Sequence, residues 1–126
     1  SKYRSSVEAV AAGNLLASRF FKRDAYPDRQ ATSFWTGFSY PFWFTDLLSA
    51  LDSLSLIGFS RENQQIRRAL KWFINKQRKD GGWKLHLLRG RDKDLPLWLG
   101  LAICRVFKRL HPAIRDQASV KQRQKT

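Results

Sequence analysis

Apolar residues recur at spacings of three and four along most of this chain, in segments set apart by glycines, prolines and short polar runs. The clearest stripe is Phe44, Leu47, Leu48, Leu51 and Leu54, which predicts a helix from about Phe42 to Ile57 that stops at Gly58. Ser60 then offers an N-cap for a helix over about Glu62 to Arg78, with Glu62 near its positive end. That helix should bury Ile66, Ala69, Leu70, Phe73 and Ile74 and leave its other face basic, and Asp80-Gly81-Gly82 should break it. A polar connection, Arg89 to Asp94, leads to a further helix over about Leu95 to Leu110, with Pro96 in its first turn. Its middle, Leu97 to Cys104, is apolar nearly all round, a pattern that asks for partners on several sides.

The N-terminal part is less regular. A helix from about Ser5 to Phe21 carries Val7, Val10, Ala11, Leu15 and Phe21, with Gly13 and Asn14 weakening its middle. A long loop from Lys22 to about Pro41 follows, of a length that is more often functional or disordered than merely connecting. It runs into an aromatic cluster: Phe34, Trp35, Phe38, Tyr40, Phe42, Trp43 and Phe44. The expected architecture is all-α, with about four main helices in antiparallel hairpins. Residues 1–112 form one helical domain and 113–126 a basic, disordered tail.

Charge changes that picture most. Lys and Arg total 24 against 10 Asp and Glu, a formal charge of +14, which attracts polyanions, acidic lipid surfaces or phosphorylated ligands. The single Cys104 gives no internal disulfide, no opening stretch reads as a signal peptide, and no apolar run reaches the ~18 residues of a transmembrane helix. A cytoplasmic chain, peripheral to membranes at most, is the expectation. Because the chain starts at Ser1 and contains no Met, it also reads as a processed chain or an excised domain.

One stretch carries a resemblance. Arg68, Trp72, Phe73, Gln77, Gly81 and Trp83 follow the order of a basic residue, an aromatic helix end, Gln, a short polar spacer, Gly, one residue and Trp. This resembles the QW repeat of the α/α toroids formed by terpenoid (squalene- and hopene-type) cyclases and protein prenyltransferases. A Pro-aromatic entry (Pro41, Phe42, Trp43) and Thr45-Asp46-Leu47-Leu48 extend the likeness over about Trp35 to Leu110. The resemblance implies a partial toroid, similar to a C-terminal piece, in which Gln caps a neighbouring helix end, Gly allows a tight turn and Trp folds back over its helix. Four helices cannot close a toroid, so the remainder of a larger ring, or self-association, is the implied partner.

Catalytic chemistry finds little support. There is no D-x-D-D cluster to protonate an alkene and no D-D-x-x-D motif to hold magnesium. Asp46 and Asp52 lie too far round one helix to share a substrate proton, and Asp46 reads first as a buried or helix-end hydrogen-bonding group. Ala102 stands where a prenyltransferase zinc site would have Asp, two residues before Cys104, and His86 and His111 have no ligand partner at helical spacing. Cys104 is therefore expected in the core, and neither metal nor cofactor is expected.

Two readings remain for the ring cluster. Trp35, Phe38, Tyr40 and Trp43, with Asp46, either line a pocket for an apolar or isoprenoid-like ligand or are core, with core favoured. The basic patch Arg67, Arg68, Lys71, Arg78 and Lys79 is either a solvated face or a site for nucleic acid, anionic lipid headgroups or a diphosphate. No zinc-finger, RNP-type or helix-turn-helix signature accompanies it. The function expected is a non-catalytic or substrate-binding helical fragment related to the toroids, the alternative being a basic binding module for nucleic acid or an anionic membrane surface.

Overall fold

In α2, Leu47–Leu56, the stripe of leucines faces inward as its period demands: Leu47, Leu48, Leu51 and Leu54 are all fully buried. The computed structural model describes residues 6–23, 31–39, 46–88 and 93–111. Over those residues the fold is all-α, with four helices: α1 (Val7–Ser18), α2, α3 (Gln64–Lys76) and α4 (Leu95–Leu110). Tyr40 and Trp43 of the ring cluster and the tail at 113–126 lie outside the described residues. α2 starts at Leu47, not at the expected Phe42, because Asp46 is extended and caps it.

α2 is the central element. It packs chiefly on α4 and also meets α1 and α3. α3 buries Ile66, Ala69, Leu70 and Phe73, while α4 contributes Leu95, Leu99, Ile103, Val106 and Leu110, one residue per turn of the same stripe. Ile74, expected inside, is 55% exposed, because it lies at the edge of the α3 stripe and no described element covers it.

An ion pair ties α2 to α4: Arg109 Nη1 donates to Asp52 Oδ1 at 2.8 Å and to Ser55 Oγ at 2.7 Å. Asp52 is thus a packing residue.

The N-terminal helix corrects the sequence reading. Val7, Val10 and Leu15 are exposed, and the inward face is made instead by Gly13 and Ala17, followed by Phe20. The Phe59 ring lies where a Cβ on Gly13 would stand, so the residue that weakens the helix intrinsically is the one that lets α1 approach. α1 ends soon after, and Phe21 takes a left-handed backbone (φ 62°) unusual for a bulky residue, with the Arg68 guanidinium over its ring at 4.9 Å.

The described end of the long loop is ordered. A 3-10 turn (Thr32–Thr36) leads into a two-residue strand β1 (Gly37–Phe38), which pairs in parallel with β2 (His86–Leu87), Gly37 opposite His86 and Phe38 opposite Leu87. Leu88 N–H extends the ladder by donating to Phe38 O at 2.8 Å. A side chain at Gly37 would press on the Leu88 side chain, which is 45% exposed and has room to yield. Nothing in the hydropathy pattern predicts this ladder. A two-residue strand is too short to show a period.

The helix starts follow local polar chemistry. Asp46 caps α2 through a reciprocal pair: its Oδ1 accepts from Ser49 N–H at 2.8 Å, and Ser49 Oγ accepts from Asp46 N–H at 3.0 Å. Asn63, rather than the expected Ser60, caps α3, its Oδ1 accepting from the Gln65 and Ile66 amides. Ser60 Oγ accepts from Glu62 N–H and belongs to the turn before the cap.

Candidate functional site

The C-terminal end of α3 makes an unusually complete turn. Gly81 has φ +89°, a conformation that favours glycine, and Arg78 N–H donates to Gly82 O at 2.8 Å while Gly81 N–H returns to Arg78 O at 3.0 Å. Gln77 Nε2 donates to Gly81 O at 2.8 Å. The amide of Gln77 bonds Ile74 O instead of Phe73 O, which leaves the Phe73 carbonyl open one turn before the helix end. Trp83 closes it: its Nε1–H donates to Phe73 O at 2.9 Å. Gln77 and Trp83 also form an antiparallel bridge.

These contacts show the chemistry of the Arg68–Trp83 segment at atomic detail. The glycine turn and the returning tryptophan match what the resemblance implied for these positions. Gln77 does not: it was expected to reach a neighbouring helix end, and it closes its own turn, because Gly81 O is within reach of its amide. Trp72 and Phe73 stand edge to face at 5.0 Å, and Phe38 packs on both at 5.8 Å, joining the motif to β1.

Trp83 is half-buried and has a groove on either side of it. One, of about 280 Å³, is lined by Trp83, Leu85, Leu87, Pro96 and Leu99, with Arg78 and Lys84 at its margin. The other, of about 250 Å³, is lined by Ile74, Gln77, Trp83, Cys104 and Phe107. Gly100 of α4 faces the indole, at a spacing that would just admit a Cβ. The first groove pairs apolar walls with two cationic side chains, so it can hold an extended apolar group and an anionic end together. Arg78 also lies 3.3 Å from Asp80 in a solvent-exposed pair, a weak contact that an anion can share.

The other sequence candidates are placed elsewhere. Trp35 and Phe38 are core residues, 3% and 0% exposed: Trp35 Nε1 donates to Lys22 O at 2.9 Å, and Phe20 meets the Trp35 ring at 5.5 Å. Cys104, expected in the core, is exposed, because the buried stripe of α4 passes through Ile103 and Val106 and turns Cys104 outward. Arg67, Lys71 and Lys79 are exposed, with Arg67 donating to the carbonyls of Arg61 and Glu62. α3 carries four basic residues and no acid, so the charge on its outer face is all positive, and Arg78 of the patch lines the first groove.

Asp46 is buried (1% exposed), and its Oδ2 has no hydrogen-bond partner among the described residues. Burial pushes its carboxyl up to about 6, against the pull of the Ser49, Leu48 and Ser39 groups that favour the anion. Among the described residues, no three His, Cys, Asp or Glu side chains converge to hold a metal ion. The groove itself was missed by the sequence reading because Leu85, Leu87, Pro96 and Leu99 belong to no single periodic stripe. No family of known proteins, no curated protein and no solved structure matches this chain.

Proposed function

We propose that this chain is a non-catalytic helical unit of the α/α-toroid kind that binds an apolar, isoprenoid-like molecule with an anionic head. The observation that carries the reading is the groove beside Trp83, in which Leu85, Leu87, Pro96 and Leu99 wall an apolar slot with Arg78 and Lys84 at its margin. Apolar walls favour a branched hydrocarbon without selecting its length, and the two cations fix which end enters. The turn built on Gln77, Gly81 and Trp83 holds the indole against α3, so the ligand meets a wall that is already in place. The likeness of Arg68–Trp83 to the QW repeat supports the same reading, since that repeat joins helix hairpins in proteins that handle isoprenoids.

A titration with an isoprenyl diphosphate, followed by tryptophan fluorescence, tests it. Saturable quenching is expected, weakened about tenfold or more in a double variant Arg78→Ala, Lys84→Ala, as for the loss of charge-assisted hydrogen bonds. Replacement of Trp83 by Phe should remove most of the signal. Equal quenching by inorganic pyrophosphate, or full quenching retained without Trp83, would overturn the reading.

A further inference from the structure

α4 has a second face that the core does not use. Leu97, Trp98 and Leu101 are 72%, 49% and 50% exposed, three large apolar side chains grouped within little more than one turn. Helical spacing continues the same outward stripe through Arg105 and Lys108, both exposed and neither in an ion pair among the described residues. Within the helix there is no acidic residue, and the acid nearest in sequence among the described residues is Asp94, at the position before its first turn. The third basic residue, Arg109, is turned inward to Asp52.

We propose that this face is a docking surface for an anionic lipid bilayer. Leucine and tryptophan side chains partition to the headgroup boundary, where the indole keeps its N–H in a wet environment. Lysine and arginine beside them meet the negative surface potential and extend their stems over the apolar region. α4 is 16 residues long and no helix of the described residues is long and apolar enough to cross a membrane, so the contact is along the surface. Charge decides among occupants. A second copy would bring another +14 against this one, which opposes self-pairing. A nucleic acid would match Arg105 and Lys108 but leave Leu97 and Leu101 against phosphate and water. An anionic bilayer accommodates both halves of the stripe. This inference stands apart from the groove beside Trp83 and does not depend on it.

Co-sedimentation of the full chain with phosphatidylcholine vesicles, with and without phosphatidylglycerol, tests the proposal. Binding is expected only when the anionic lipid is present, and it should weaken with added salt. The pair Leu97→Ser, Leu101→Ser and the pair Arg105→Glu, Lys108→Glu should each reduce partitioning by about tenfold or more. All four positions are exposed, so circular dichroism should be unchanged in both variants, which separates lost docking from lost folding. Vesicle binding indifferent to either pair would overturn the assignment. So would tighter binding to a short DNA duplex that depends on Arg105 and Lys108 but ignores the leucines, or a dimer abolished by Leu97→Ser, Leu101→Ser in a chain that never binds vesicles.

Discussion

Replacing Asp46 with Asn is expected to remove a pH dependence of stability worth about 3 kcal/mol in the native protein. The carboxyl ionises at 3.8 in an unperturbed chain and at about 6 in the fold, where burial is the largest cause of the shift. Between those values the unfolded chain has released its proton and the folded chain has kept it. Stability attributable to this group is therefore greatest below the lower value, falls as pH rises through the window, and stays low above the upper one. Asn keeps an oxygen to accept from Ser49 N–H, as Asp46 Oδ1 does at 2.8 Å, and has nothing to ionise. Urea unfolding of both proteins at about pH 4 and about pH 7 measures the difference between the two slopes. A wild-type stability no lower at neutral pH than in mild acid, relative to the variant, would show that the carboxyl is not held in a desolvated site.

Gly13 is the second position where a single change has a large expected effect. In an exposed helix Gly→Ala stabilises by about 1 kcal/mol. Here the new methyl would collide with the ring of Phe59 and press on Leu54 at 3.1 Å. Overpacking of this kind costs about 1–3 kcal/mol, and Gly13→Val, with a second branch at the same place, should reach the upper end or beyond. Thermal melts should rank wild type above Gly13→Ala and Gly13→Ala above Gly13→Val. The double variant Gly13→Ala, Phe59→Leu should recover part of the loss, because the ring that fills the site has gone. An alanine variant more stable than wild type would mean that α1 does not approach α2 as closely as described.

These two residues also show why the sequence was legible in some places and not in others. The stripes of α2, α3 and α4 could be read because their inward residues are large and recur on the helical period. Gly58 (φ +104°) and Gly81 mark the stops that their positions suggested. α1 was misread because its buried residues are small, Gly13 and Ala17, while Val7, Val10 and Leu15 point to solvent. Hydropathy weighs a residue by its own size and cannot register that a partner's ring supplies the bulk.

The same limit hid the candidate site. The glycine turn and the return of Trp83 were what the resemblance implied, whereas the partner of Gln77 was not. Leu85, Leu87, Pro96 and Leu99 come together only because the chain between the turn and α4 runs alongside β1. At Asp46 the polar cap was legible, whereas its desolvation depends on what packs over it. Leu97 to Cys104 asked for partners on several sides, and the described helices provide them on one.

The short parallel ladder bears on how the chain reaches this fold. Gly37 and His86 are far apart in sequence, whereas the α3 turn closes over seven neighbouring residues, Gln77 to Trp83. Bringing β1 to β2 requires closing a long loop before any contact repays the lost entropy, so the local turn should organise early and the ladder late. Substitutions at Gly37 or Phe38 should then speed unfolding while leaving the refolding rate almost unchanged, and those at Phe73, whose carbonyl accepts from the indole, should slow refolding. On that account β1 is the first of the described elements to separate when the protein opens, and stopped-flow chevrons of the two sets of variants would show it.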